Sequence, residues 1–225
     1  MKDYSQNGEQ LQVLKYFGDF RGTVLDIGAN DGVTFSMSRA LIELGWRACL
    51  VEPASIPFQK LTALYFPTLT LPSYGNDFGN AWHFNNTENG VRIVRAAITL
   101  QDGPLDFYSS GTHLKKGDTD LLSTTHPEEI ARWKKSGEVF TKTVVRGITF
   151  DTLMRETGVR HFDFISIDAE GADLDILRQI DLTAVGCRML CVEVNARGDA
   201  EFTAYAKRHG MRLHHSNHEN RIYVK

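Results

Sequence analysis

Val24-Leu25-Asp26-Ile27-Gly28-Ala29-Asn30-Asp31-Gly32 is an apolar run that ends in an acid and opens into a glycine-containing loop. A helical pattern follows from Thr34 to Leu44, with Met37, Ala40, Leu41 and Leu44 at core spacing. Strand, tight turn and helix in this order form the local geometry that receives adenosine-containing ligands. A dinucleotide loop needs glycine at three places, G-x-G-x-x-G, so that the backbone can approach a pyrophosphate. Counted from Gly28, the second and third places hold Asn30 and Val33, so the phosphate reading fails at two of them. A carboxylate, Asp26, stands at the strand end instead. It would repel a pyrophosphate and attract an ammonium or a sulfonium. S-adenosylmethionine carries both cations and no phosphate, and the loop therefore reads as a methyl-donor site.

Ala48-Cys49-Leu50-Val51-Glu52-Pro53 is a second short apolar run ending in an acid, one strand–helix–strand unit later. A carboxylate there can accept hydrogen bonds from both ribose hydroxyls. Nicotinamide enzymes use the same device, so Glu52 supports adenosine binding without choosing the cofactor. Its other reading is a solvated strand-end acid.

The 225 residues suit one domain, 1–225, and the formal charge of −3 is made of interspersed signs. No basic field argues for nucleic acid or an anionic membrane. No stretch approaches the roughly 18–20 apolar residues of a membrane span, and Met1 to Gln6 lacks the apolar core of a signal peptide. Cys49, Cys187 and Cys191 all lie in apolar runs. An odd number of buried cysteines reads as reduced core thiols of a cytoplasmic protein.

Outward from the first strand, the spacing predicts an N-terminal helical segment within 1–20, with Leu11, Leu14 and Phe17 on one face. Strands are expected at Thr23–Ile27, Ala48–Glu52, Val91–Ile98, Phe162–Ile167 and Met189–Val194, with a short extra strand at Leu105–Tyr108. Helices are expected from Pro57, at Pro127–Lys135, from a cap at Thr149 or Asp151 through Arg155, at Ala172–Ile180, and at Ala200–His209 before Gly210. Residues 68–90 are irregular, and 109–139 read as a substrate-side insertion or a surface loop. Arg212–His215 and Arg221–Val224 form a hairpin. The whole describes an α/β fold with a doubly wound, mostly parallel sheet and an antiparallel hairpin strand at one edge. Dinucleotide-binding folds lack that strand; the seven-stranded methyltransferase sheet has it.

Phe162-Asp163-Phe164-Ile165-Ser166-Ile167-Asp168-Ala169-Glu170-Gly171-Ala172 ends the fourth strand with two acids around a small residue. Ligands of open α/β sheets lie beyond the carboxyl ends of the strands where strand order reverses. That places Asp168 near the transferred methyl group, with Glu193 and Asn195 from the fifth strand in the same layer. Such an oxygen-rich cluster serves general base catalysis on a hydroxyl or a Mg²⁺ or Ca²⁺ site. Asp168 and Glu170 could instead bind backbone amides and hold their own loop.

These residues, in order with Ser5-Gln6-Asn7-Gly8-Glu9, Ala96-Ala97-Ile98, Gly103, Phe107 and Thr149-Phe150-Asp151-Thr152-Leu153, resemble the FkbM-type family of S-adenosylmethionine-dependent methyltransferases over Ser5 to Asn195. The resemblance implies a Rossmann-like class I fold and O-methylation of a hydroxyl, on a sugar of a surface glycan or a natural product. Its motifs imply donor contacts from Asp26, Gly28, Asn30, Gly32 and Glu52, with Gln6 and Glu9 approaching the same pocket; Ala29, Ala97 and Asp168 are further candidates for donor contact. The catalytic group would be Asp168, Glu193 and Glu170, with Mg²⁺ as an optional aid and a homo-oligomer left open. Phe150 departs from the family's usual leucine, and the 74–89 and 113–139 stretches follow no family pattern. Alternatives are an N-methyl or aminopropyl transferase on the same fold, and a donor-binding module without turnover. His113 and His126 are possible bases in the insertion, and His214, His215 and His218 crowd the hairpin without metal-ligand spacing. Trp82 could stack on adenine or pack a satellite core.

Overall fold

The computed structural model describes residues 1–67, 83–86, 90–111, 120–133, 137–194 and 198–225. Strand β1 (Thr23–Ile27) is buried at every position, as a strand covered on both faces must be. Following α1 (Glu9–Phe17), β1 leads through α2 (Arg39–Glu43) to β2 (Arg47–Val51) and α3 (Ser55–Tyr65). Next come β3 (His83–Asn86), β4 (Val91–Val94), β5 (Ala97–Ile98) and β6 (Gly103–Ser109). The chain continues through α4 (Pro127–Trp133), β7 (Thr141–Ile148), α5 (Phe150–Thr157), β8 (Phe164–Ile167) and α6 (Asp173–Leu177). It closes with β9 (Met189–Glu193), α7 (Asp199–Arg208), β10 (Arg212–Ser216) and β11 (Asn220–Val224).

The main sheet runs β10-β11-β9-β8-β1-β2-β4-β3, and a second sheet runs β5-β7-β6. Seven strands from β4 to β10 make the expected doubly wound sheet, parallel except at β11, which lies antiparallel between β9 and β10. The antiparallel strand is thus one place in from the edge. An eighth strand, β3, pairs antiparallel at the opposite edge. Alternation along the strands sorts the core into two layers. Leu25, Ile27, Ile165 and Val192 meet Phe150, Leu153, Ile176 and Phe202 on one side. Val24, Leu50, Phe164 and Met189 meet Val13, Phe17, Leu41 and Phe58 on the other.

Several expected elements are corrected. The helix expected over Thr34–Leu44 is only Arg39–Glu43. The Asp31 carboxylate accepts hydrogen bonds from the amides of Val33 and Thr34 and from the Thr34 hydroxyl, and Ser36 Oγ accepts from Arg39 N. Those local bonds hold the segment as a loop of turns and bends. The strand expected over Val91–Ile98 divides, β4 joining the main sheet and β5 the small one. Strand β7, absent from the sequence reading, pairs with β6 from Thr141 to Gly147. On α1 the buried face is Glu9, Gln10, Val13 and Phe17, and Leu11 is exposed. The Ala172–Ile180 helix is shortened to α6. Thr149 caps α5, its hydroxyl accepting from Thr152 N at 3.2 Å.

The buried acid on α1 has distant partners. Glu9 Oε1 accepts from Asn217 Nδ2 at 2.6 Å and Asn220 Nδ2 at 2.7 Å, and Oε2 from Asn7 N at 2.8 Å. These donors hold its carboxyl below the usual range despite burial. The hairpin turn is thereby fastened to the N-terminal helix, and Asn7 Nδ2 adds a bond to Glu219 Oε2 at 2.9 Å.

Candidate active site

A cavity of about 270 Å³ opens at the carboxyl ends of β1, β2, β8 and β9. The loop after β1 makes its floor. Gly28 N and Ala29 N both donate to Val51 O, at 3.0 and 3.1 Å, while Asp168 N donates to Ile27 O at 3.0 Å. The turns after β1, β2 and β8 are therefore locked together. Gly28 has φ +85°, and an added Cβ would collide with the Asp168 carbonyl oxygen. The glycine is required by this turn-on-turn approach as well as by its dihedral.

Glu52 is 5% exposed and lines the cavity. Its Oε2 accepts from Asn30 N at 2.9 Å and its Oε1 from Ala54 N at 2.7 Å. Burial pushes this carboxyl up to about 8 against the pull of the two amides. Asn30 itself is in the left-handed region at φ +46°, with its Oδ1 accepting from Asp31 N. Glu52 thus holds the strained residue that forms the rim of the loop.

Asp26 is placed differently from expectation. It shares strand parity with Val24 and so points into the α1–α3 layer, where Ser38 Oγ donates to its Oδ2 at 2.5 Å. Asp26, expected from the sequence to face the donor cation, does not line the cavity; its carboxylate holds Ser38 beneath the loop. Burial pushes Asp26 up to about 6, with the Ser38 bonds opposing. A carboxyl raised on folding from 3.8 to about 6 adds stability that is complete below pH 4 and lost as pH rises through 6. Asp26→Asn should therefore gain on the wild type by up to about 3 kcal/mol between pH 4 and pH 8 in the ligand-free protein. Urea denaturation at the two pH values checks this. An equal deficit at both would mean the Ser38 bond, not the buried charge, governs the position.

Of the other residues expected at the donor, Gln6, Gly28, Asn30, Glu52, Ala97 and Asp168 line the cavity, whereas Ala29 packs into the core and Gly32 and Glu9 lie outside the walls. Asp168, Glu170 and Glu193 gather at one end, with one carboxylate oxygen of each within 4.8 Å of the others. Asp168 opens to the cavity yet is pushed up to about 7, first by its enclosed setting and then by Asp173 and Asp26. Glu170 is raised well above its ordinary value, by burial and then by Asp168. Asn195, His113 and Trp82 lie outside the described residues. His126 pairs with Glu128 at 3.0 Å outside the cavity walls, and the His214 ring rests against Tyr16.

Sequence reasoning missed several participants. Asp173 accepts from Ala169 N at 2.9 Å and Gly171 N at 3.1 Å, so it does the loop-holding considered for Asp168 and Glu170. An acid in the first turn of a predicted helix was its available signal. Glu219 and Asp120 add carboxylates to the walls, and Arg132 is the single Lys or Arg among the described lining residues. Phe107, Leu122 and Trp133 supply an apolar wall from the small sheet and the insertion. Thr124 Oγ1 donates to Glu170 O at 2.7 Å and pins the insertion to the turn after β8.

A doubly wound sheet with one reversed strand, a glycine turn at its first strand and an acid after its second defines a Rossmann-like class I methyltransferase. The chain belongs to the methyltransferase FkbM domain family, whose model matches residues 26–219, and so stands among the S-adenosylmethionine-dependent methyltransferases. The crystal structure of methyltransferase FkbM from Methylobacillus flagellatus is similar, with TM-score 0.51 and 14% identity over 92% of this chain. This chain spans 44% of that one. The N-terminal domain of human METTL16 in complex with SAH gives TM-score 0.45 and 11% identity, covering 95% of this chain and 68% of that one. A putative RNA methyltransferase from Pyrococcus horikoshii gives TM-score 0.43 and 13% identity over 97% and 83%. No curated protein sequence matches. Among the described residues no helix is long and apolar enough to cross a membrane.

Proposed function

We propose that the chain is an S-adenosylmethionine-dependent O-methyltransferase that modifies a hydroxyl of a small molecule or glycan, a sugar hydroxyl being the favoured acceptor, in the cytoplasm. One observation carries this reading: a single cavity runs from the Gly28 turn and Glu52 to the Asp168–Glu170–Glu193 oxygens. The donor lies over Gly28 and Asn30 with its ribose hydroxyls on Glu52, and Gln6 and Ala97 flank it. Asp26 acts from below by holding Ser38 and the loop. The acid cluster aims the acceptor oxygen at the methyl carbon, in line with the methyl–sulfur bond, and this alignment supplies most of the rate. Phe107, Leu122 and Trp133 offer an apolar face to the acceptor body.

Incubation with ¹³C-methyl-labelled donor and a panel of hydroxyl and amine acceptors tests the reading, since O-methyl and N-methyl carbons resonate separately. A methyl ether product is expected; methylamine products alone would move the N-methyl reading to the front. Asp168→Asn should keep S-adenosylhomocysteine affinity within a few-fold and lower turnover at least about 100-fold. Full activity in that variant would remove Asp168 from the reaction.

A further inference from the structure

We propose that Asp168, Glu170 and Glu193 form a divalent-cation site at the acceptor end of the cavity, an inference that rests on the donor–acceptor reading above. Three further acids of the described walls hold donors of their own. Both Glu52 oxygens hold amides, Asp120 holds Ser109, Ser123 and Gly111, and Glu219 takes Asn7. Glu170 Oε2 is sealed from solvent and has no hydrogen-bond partner among the described residues. A buried carboxylate oxygen in that condition is costly, and more so beside two further carboxylates. The wall's Arg132 is engaged with Glu129 at 3.1 Å.

The three oxygens suit an oxygen-seeking ion. Calcium bonds of about 2.4 Å span roughly 4.8 Å across the ion, and magnesium bonds of about 2.1 Å span roughly 4.2 Å. Three oxygens at most 4.8 Å apart lie within about 2.8 Å of a common centre, so one ion reaches all three after the carboxylates close in by a few tenths of an ångström, less for calcium than for magnesium. The ligands sit on firm supports. Asp168 directly follows β8, its amide bonded to Ile27 O, Glu193 ends β9, and Asp173 with Thr124 fixes the turn that carries Glu170. An ion there keeps open positions toward the cavity, through which it would position an acceptor oxygen.

Calorimetric titration of chelator-treated protein with Ca²⁺, Mg²⁺ and Mn²⁺ in turn tests the site, each repeated after saturation with S-adenosylhomocysteine. One ion per chain is expected, at micromolar to submillimolar concentration. Glu170→Gln should weaken it at least about tenfold while S-adenosylhomocysteine affinity stays within about twofold. Asp168→Asn, measured by Mn²⁺ water-proton relaxation, serves if the first variant fails to fold. No divalent ion bound at millimolar concentration, with S-adenosylhomocysteine still binding, overturns the cation site alone. Ion binding untouched by both substitutions overturns these ligands, and loss of S-adenosylhomocysteine binding by the wild type would sink the donor reading instead.

Discussion

Gly28→Ala is expected to cost about 4 kcal/mol or more and to abolish donor binding, more than a methyl added at any other described glycine. Two penalties combine at this position. A φ of +85° is strained for alanine, by about 1 kcal/mol. The larger penalty is the collision with the Asp168 carbonyl, a backbone atom held by its own amide's bond to Ile27 O and unable to swing aside. Relief requires parting the turns after β1 and β8, which share a parallel pairing from Val24 to Ile27. Gly45→Ala separates the two penalties: its φ is +90° with nothing within 4 Å of the added carbon. Urea denaturation should give about 1 kcal/mol there. Equal losses at both positions would show that dihedral strain alone governs Gly28.

Glu52→Ala should raise the dissociation constant for S-adenosylhomocysteine by about 100-fold, equivalent to about 2.7 kcal/mol. The substitution removes the acceptor for Asn30 N and Ala54 N at once, and the released Asn30 would leave the left-handed conformation that shapes the rim. Glu52→Gln keeps one acceptor oxygen and should fall between, with an added signature. Ribose hydroxyls donate better to the ionised form, and the free carboxyl is raised to about 8. Wild-type affinity should therefore strengthen as pH rises through 8, while the Gln variant stays flat. Because S-adenosylhomocysteine has no sulfonium, its sulfur charge does not enter the comparison. A flat wild-type profile would mean Glu52 is already ionised or does not touch the ribose.

What the sequence makes legible follows from how locally each feature is determined. Thr23–Ile27 and Met189–Glu193 are mostly apolar runs because both faces are covered, and the ends of β2, β8 and β9 locate Glu52, Asp168 and Glu193 at one rim. The α2 boundary was not legible, since the side chains of Asp31 and Ser36 outcompete helix formation over residues that carry helical apolar spacing. Strand β7 was missed because Thr141–Val144 are all exposed, which leaves no alternation to read. The orientation of Asp26 needed one further step, parity with Val24, which would have predicted a partner on the α2 side. Glu9 offered no signal: an acid in the first turn of a helix ordinarily faces water, and its partners lie 208 and 211 residues away.

That separation has a consequence for the order in which the molecule is made. Translation proceeds at about 5–20 residues per second, so roughly 10–40 s pass between the emergence of Glu9 and that of Asn220. Through this interval the first helix carries an acid with none of its asparagine side-chain donors beside an apolar face, Val13 and Phe17, whose sheet partners are still arriving. Strand β11 must then enter between β9 and β10, and only this last insertion brings the asparagines to the waiting carboxylate. The N-terminal helix and Gln6, which faces the cavity, become fixed together with the β10–β11 hairpin, so a nascent chain cannot complete this wall of its ligand site until that hairpin has emerged.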